Sequence, residues 1–380
     1  MNPDFILFAL QEQNNLRSLP SLQHSGVFVY ENQHKLLNLA SNDYLGLNAN
    51  SAFKEQFFAS VRSQDMFFSS SSSRLLSGNF DIYEICESTL SSLYHRQALL
   101  FNSGYHANIA CIQALCKIPS TFFVIDRFVH ASVIDGLRLG KARFKSFTHN
   151  NMQELEQILD ENTKKFENII VVSEGVFSME GDFAPLQEIV ALKKKFKNMR
   201  IYLDEAHSVG IVGKGGLGLA AHLQFVESVD FLLLTFGKAI ASVGACMLCS
   251  TKMKDFFINC ARSLIFSTAL PPINIAFSHF VFTKLNSFDK EREYVSRLSA
   301  YIKQSLQKKG YEVLGENHIL SILCGENAQA LALASKLKER GIFAPAIKEP
   351  SVPKRTARVR FSLHSALSEE HIESILKAFV

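Results

Sequence analysis

Tryptophan is absent from the 380 residues, and glycine (19) and proline (9) are modest. So low a glycine and proline content excludes collagen-like and low-complexity disordered chains. No charge of one sign dominates, since 40 basic residues face 36 acidic ones for a net +4. The Lys193-Lys194-Lys195 run sits on a helical pattern and reads as a solvated face rather than a nucleic-acid stripe. Cysteines number seven, an odd count without a paired framework, which excludes a disulfide scaffold and fits a reducing compartment. Cys246 and Cys249 form a C-x-x-C inside an apolar run. On a strand, residues three apart face opposite ways, so the pair reads as small hydrophobes and no metal site is expected. No apolar run reaches the ~18 residues of a membrane span. The apolar stretch 5–10 follows Asp4 and lacks a basic flank and a cleavage site, so no signal peptide is expected and the default location is the cytoplasm. Neither a nucleic acid nor a membrane is an expected partner.

What is present is a 47% hydrophobic, 20% charged composition over a length that suits a large domain and a smaller one. Short apolar runs alternate with helical patterns, as in a mainly parallel α/β sheet. Candidate strands are 98–101, 121–125, 168–172, 200–203, 231–234 and 245–248, with helix periodicity over 152–159 and 186–196. Residues 1–40 read as an arm, with a helix from 5 to about 16 and a hairpin of 27–30 and 36–39. After Pro271-Pro272 come a long helix and then a strand start near Val313, giving an expected division into 1–40, a large domain 41–280 and a smaller α+β domain 281–380.

In open α/β sheets ligands bind beyond the carboxyl ends of the strands, so each strand exit is a candidate site. Residues 98–101 lead into Asn102-Ser103-Gly104-Tyr105-His106, a small turn opening a helix, whose N–H groups and dipole suit a phosphate. Residues 200–203 lead into Asp204-Glu205-Ala206-His207. An acid there needs a partner, and a cationic ring nitrogen would be one. The plainer alternative is a helix-capping Asp followed by a solvent-facing His. Residues 231–234 lead into Thr235-Phe236-Gly237-Lys238. A lysine ending a buried strand is often a surface residue, but one that shares an edge with Asp204 and the Gly104 turn can form an imine. Residues 168–172 lead into Ser173-Glu174-Gly175-Val176-Phe177-Ser178, and His130 follows the strand at 121–125. Together these exits supply partners for a phosphate, a pyridinium and an aldehyde, the three handles of pyridoxal 5′-phosphate (PLP).

Over nearly its whole length the chain resembles the α-oxoamine synthases, fold-type I PLP-dependent transferases. The matching segments begin at Ser41-Asn42-Asp43-Tyr44, Asn102-Ser103-Gly104, Glu174-Gly175-Val176, Asp204-Glu205-Ala206-His207, Thr235-Phe236-Gly237-Lys238 and Ser267-Thr268-Ala269. The resemblance implies that Lys238 carries the cofactor and then moves the substrate α-proton. It implies that Asp204 pairs with the ring nitrogen, His207 with the ring hydroxyl, and that His130 stacks on the ring. Ser178, Gly104, Tyr105 and Thr235 would complete the cofactor site. Ser267 and Thr268 would reach a neighbouring subunit's cofactor, implying a homodimer with interfacial active sites. Asn42 and Arg360 would bind the amino-acid carboxylate, and Arg17 and Ser351 would lie near the acyl substrate.

The implied activity is decarboxylating condensation of an amino acid with an acyl thioester. The short N-terminus and Pro350-Ser351-Val352-Pro353 resemble the branch joining L-alanine to a pimeloyl thioester of CoA or a carrier protein. Rival readings are the same chemistry on glycine or serine, and a catalytically silent PLP-fold partner subunit. Two departures stand out: Ser69-Ser70-Ser71-Ser72-Ser73 replaces a glycine-rich stretch before Arg74, and Tyr83 replaces a histidine. Serine does not freely adopt positive φ, so the loop backbone and the acyl pocket are the places where this chain would differ.

Overall fold

Short, mostly apolar runs bounded by turn residues form the strands of the larger of two compact units. The computed structural model describes residues 3–379. Among the described residues, the larger unit comprises 52–177 and 183–289, and the smaller comprises 3–51, 178–182 and 290–379. The division expected at 40 and 280 is thus drawn at 51 and 289, and residues from both chain ends share one unit.

In the larger unit the strands are β1 (Gln97–Phe101), β2 (Thr121–Asp126), β3 (Arg143–Phe147), β4 (Asn168–Glu174), β5 (Met199–Asp204), β6 (Phe231–Thr235) and β7 (Ala245–Cys249). Their order across the sheet is β1-β7-β6-β5-β4-β2-β3. From β6 to β3 every neighbour is parallel, while β7 runs antiparallel to both β1 and β6. Six strands match the apolar runs read from sequence. β3 was not foreseen: at the sheet edge its Arg-Phe-Lys-Ser residues are exposed and carry no buried alternation. All five residues of β7 are buried, Cys246 and Cys249 among them. Of the lysine run, Lys193 is committed to an ion pair with Asp230 at 2.5 Å.

The core on one side of the sheet joins Leu99, Ile125, Val172, Tyr202, Leu233 and Met247 to helices α1 (Gly104–Leu115) and α2 (Ala131–Leu139). Where these helices cross, a Cβ on Gly136 would lie 3.0 Å from Ile112 Cβ and 3.2 Å from the Asn108 carbonyl. Glycine there lets α2 close onto α1, which sets the spacing of the polar groups described below.

The smaller unit holds an antiparallel sheet of Val313–Leu314, Ile319–Gly325, Ala357–Ser362 and Ala346–Ile347. A second sheet joins Gln23–Ser25, Phe28–Glu31 and His34–Asn38 to Ile342–Phe343. The first helix, Asp4–Glu12, stops short of the expected residue 16, because Asn14 turns into the left-handed region at φ 52°. None of its residues is buried.

Candidate active site

Within the larger unit the strand exits converge as the α/β rule requires. Ala245 of β7 lies opposite both Phe101 and Thr235, so the turn after β1 and the end of β6 flank one small residue. Ser103 caps α1, its Oγ accepting from the His106 N–H at 3.2 Å. A Cβ on Gly104 would sit 2.3 Å from Thr235 Oγ1. That hydroxyl is itself buried without a hydrogen-bond partner. Helix geometry leaves the first-turn N–H groups of α1 without intrahelical acceptors. A glycine backbone packed directly against an orphaned hydroxyl, together with a helix N-terminus, suits an anion, and a cofactor phosphate fits there. Tyr105 is exposed, its hydroxyl donating to Asp135 Oδ2 at 2.5 Å.

Asp204 ends β5 and is buried, with Oδ1 accepting from the Ala206 N–H at 2.9 Å and Oδ2 from Asn108 Nδ2 at 2.8 Å. Lys238 follows β6, the strand parallel to β5, in which Leu233 lies opposite Asp204. Both are near His130: burial lowers its imidazole first, the Asp204 charge opposes that, and the Lys238 charge adds to it. The edge of the Tyr105 ring meets the His130 ring at 6.3 Å and 88°. His207 is buried in the turn after Asp204. Thr268 is exposed, and its carbonyl accepts from Asn102 Nδ2 at 2.8 Å.

Glu174 is a site neighbour that the strand-exit reading passed over. It ends β4 beside Asp204 in register, and its Oε1 accepts from the His130 backbone N–H at 2.6 Å. Burial pushes its carboxyl well above the ordinary range, Asp204 adds to that, and Lys238 opposes it. An acid closing an apolar run is the signal that singled out Asp204, and it applies equally to Glu174. Asn108 was also missed. An amide between Ala107 and the apolar Ile109-Ala110-Cys111-Ile112 could have marked it.

The remaining candidates lie in the smaller unit. Arg360 is buried in the strand Ala357–Ser362. Its Nη1 and Nη2 each donate to Asn42 Oδ1 at 3.2 Å, Nε donates to the Ser178 carbonyl at 2.7 Å, and Nη1 also reaches Ser362 Oγ at 2.9 Å. Tyr44 donates its hydroxyl to Asn42 at 3.0 Å, and burial pushes that phenol up to about 12 against the Arg360 charge. Arg17 Nη2 donates to Ser351 Oγ at 3.3 Å. The sequence pairs Asn42–Arg360 and Arg17–Ser351 are therefore each brought together.

Against the expectation that serine would avoid it, one residue of the serine tract takes a positive φ: Ser71 has φ 52°. Ser70 Oγ donates to the Ala269 carbonyl at 2.8 Å and helps pin the loop. Tyr83 is buried, donates to the Leu270 carbonyl and lies beneath the Arg74 guanidinium at 4.9 Å. Arg74 in turn pairs with Glu87 at 2.6 Å.

Sheet order, strand exits and cradle define a fold-type I PLP-dependent transferase. The chain belongs to the aminotransferase class I and II family, whose description matches residues 34–379. A curated relative, 8-amino-7-oxononanoate synthase of Haemophilus ducreyi, is 43% identical over 368 residues, covering 95% of each chain. Among solved structures, serine palmitoyltransferase of Sphingomonas wittichii is similar at TM-score 0.87 and 27% identity, covering 100% of this chain and 96% of its own. The 8-amino-7-oxononanoate synthase of Francisella tularensis shares the fold at TM-score 0.76 and 24% identity, covering 90% and 96%. Family and fold indicate pyridoxal 5′-phosphate as the cofactor, and with the curated relatives they support a PLP-dependent acyltransferase.

Proposed function

We propose that the chain condenses L-alanine with a pimeloyl thioester, releasing carbon dioxide and a thiol, to give 8-amino-7-oxononanoate for biotin synthesis. The observation that carries the cofactor half is the buried, partnerless Thr235 hydroxyl against the Gly104 cradle, three residues before Lys238. The name borne by the Haemophilus ducreyi relative at 43% identity supports the substrates. When bound, PLP acts as an electron sink that lets the amino-acid α-carbon become a nucleophile.

The residues divide the work as follows. Gly104 and Tyr105, through backbone N–H groups, and Thr235, through its hydroxyl, would hold the phosphate. Lys238 would hold the aldehyde covalently and, once displaced by alanine, accept the α-proton on Nζ. Asp204, its two oxygens already oriented by Ala206 and Asn108, would keep the ring nitrogen protonated. His207 and Ser178 would meet the ring hydroxyl, and His130 the ring face. Arg360 with Asn42 would bind the alanine carboxylate through a planar fork suited to it. Arg17 and Ser351 would meet the acyl donor. Lys348 lies close enough to Arg17 for that charge to lower its amine, after burial, and the two cations favour an anionic donor.

A homodimer is part of the proposal, with Thr268 reaching the neighbouring site. The exposed Phe67, Phe68, Leu76 and Phe266 support it, with Phe68 at 79% and Leu76 at 81% exposure, as do Phe5 and Phe8 of the first helix. The likeness to serine palmitoyltransferase favours one second reading, in which serine replaces alanine.

The test is a matrix of alanine, glycine and serine against pimeloyl, acetyl, succinyl and palmitoyl thioesters, measuring thiol and carbon dioxide release. Preferred turnover of alanine with the pimeloyl donor is expected. Turnover confined to another pair would replace this reading, and silence across the matrix with cofactor bound would favour a non-catalytic subunit.

A further inference from the structure

At the carboxyl edge of the sheet in the larger unit a set of polar side chains is buried: Asn108, Ser132, Tyr202 and Asp204 are each at most 4% exposed. The Asp204 carboxylate can only accept, so the Asn108 amide turns its Nδ2 toward it, and Tyr202 donates its hydroxyl to Asn108 Oδ1 at 2.7 Å. The Asn108 Nδ2 group then donates to Asp204 Oδ2 at 2.8 Å and to Ser132 Oγ at 3.0 Å. Ser132 Oγ lies 2.8 Å from His130 Nδ1, and the Ser132 backbone N–H donates to the same nitrogen at 3.3 Å. A ring nitrogen that accepts from a backbone N–H carries no proton in the neutral imidazole. Because Nδ1 accepts that backbone N–H and so carries no proton, the Ser132 hydroxyl hydrogen turns to it, while an Oγ lone pair takes the Asn108 donor. The proton of neutral His130 therefore sits on Nε2.

We infer that Asn108 is a positioning residue joining two functional groups: one amide orients the Asp204 carboxylate and, through Ser132, holds His130 as the neutral Nε2–H tautomer. The charged groups around His130 agree with a neutral ring. Burial is the largest influence, Asp204 and Asp135 oppose it, Lys238 reinforces it, and Glu174 meets His130 at the backbone, its Oε1 accepting from the His130 N–H. The consequence is a ring that offers a hydrogen-bond donor at its far nitrogen and no acceptor there. A ligand carbonyl suits that nitrogen, and an ammonium group does not.

The part concerning ligands rests on the function proposed above, whereas the tautomer does not, and the experiment separates them. Imidazole nitrogen shifts of His130 are measured by ¹⁵N NMR in the full-length chain at neutral pH, before and after adding PLP. A single Nε2–H tautomer is expected in the cofactor-free chain. Asn108→Leu and Ser132→Ala should each raise the Nδ1–H form by about fivefold to tenfold, the equilibrium equivalent of one neutral hydrogen bond. Ser132→Thr, which keeps the hydroxyl, should restore the wild-type pattern. A merely space-filling Asn108 would alter melting without moving the tautomer ratio. The inference is overturned if the wild-type ring is protonated on Nδ1, or if Ser132→Ala leaves the ratio unchanged in a folded chain. Should Asn108→Leu fail to fold, the Ser132 pair carries the test alone. Failure of PLP to bind, with the tautomer as expected, would instead remove the functional reading and leave the hydrogen-bonded set standing.

Discussion

Replacing Thr235 by valine should push stability and cofactor binding in opposite directions. The Thr235 Oγ1 is buried with no partner, and an unsatisfied buried hydroxyl costs on the order of 1–3 kcal/mol. Valine has nearly the same shape, fills the same space beside Gly104 and carries no polar atom to desolvate. The cofactor-free chain should therefore gain about 1 kcal/mol and melt about 1–2 °C higher. If the hydroxyl is kept for a phosphate, the same change removes a hydrogen bond to a charged group, worth about 1.5–3 kcal/mol. PLP affinity should then fall by roughly tenfold to a hundredfold. Paired measurements decide it: thermal melts without cofactor, and titration of PLP followed by its visible absorption. Gly104→Ala is the companion, since the new methyl would lie 2.3 Å from that hydroxyl and must displace it. A valine variant that melts lower than the parent, or that binds PLP as tightly, refutes the reasoning.

Lys238→Ala should abolish covalent attachment of the cofactor, read as loss of the bound visible band and as no measurable turnover. Arg360→Lys keeps the charge but loses the fork that spans Asn42, Ser178 and Ser362, so the alanine KM should rise roughly tenfold to a hundredfold with less change in kcat. His364 is buried in the smaller unit, and burial above all holds its imidazole at about 4 against an ordinary 6.5. The unfolded chain thus takes up the proton first on acidification. Stability present above pH ~6.5 should fall as the pH drops toward 4, by on the order of 3 kcal/mol, and His364→Phe should flatten that limb in denaturant titrations.

Much of this site was legible because its residues close apolar strands. Asp204, Lys238 and the Gly104 turn each follow a short apolar run bounded by turn residues, which announces a buried strand, and the α/β rule then places them on one edge. The C-terminal boundary of β6 was read one residue short, which left Thr235 as part of the exit rather than the strand, without altering its neighbours. What the sequence could not disclose were partnerships between distant segments. Asn108 is 24 residues from Ser132, 94 from Tyr202 and 96 from Asp204, and no local pattern links them. β3 escaped for a different reason. At a sheet edge only Phe147 is buried, so the alternation that marks a half-buried strand never develops. The grouping of both chain ends into one unit is likewise a matter of long-range pairing, with Ile342–Phe343 lying parallel to Leu37 and Asn38.

The lone reversed strand, β7, has a consequence for how this fold tolerates change. Because Ala245 pairs with Phe101 on one side and Thr235 on the other, it acts as a gauge block between two segments that are far apart along the chain. Inserting or deleting a single residue in β7 would turn every side chain to the opposite face and slide one half of the anion cradle past the other. Length variation should therefore be admitted readily at the β3 margin, where one neighbour is absent, and hardly at all in the five residues that keep Gly104 and Thr235 in step.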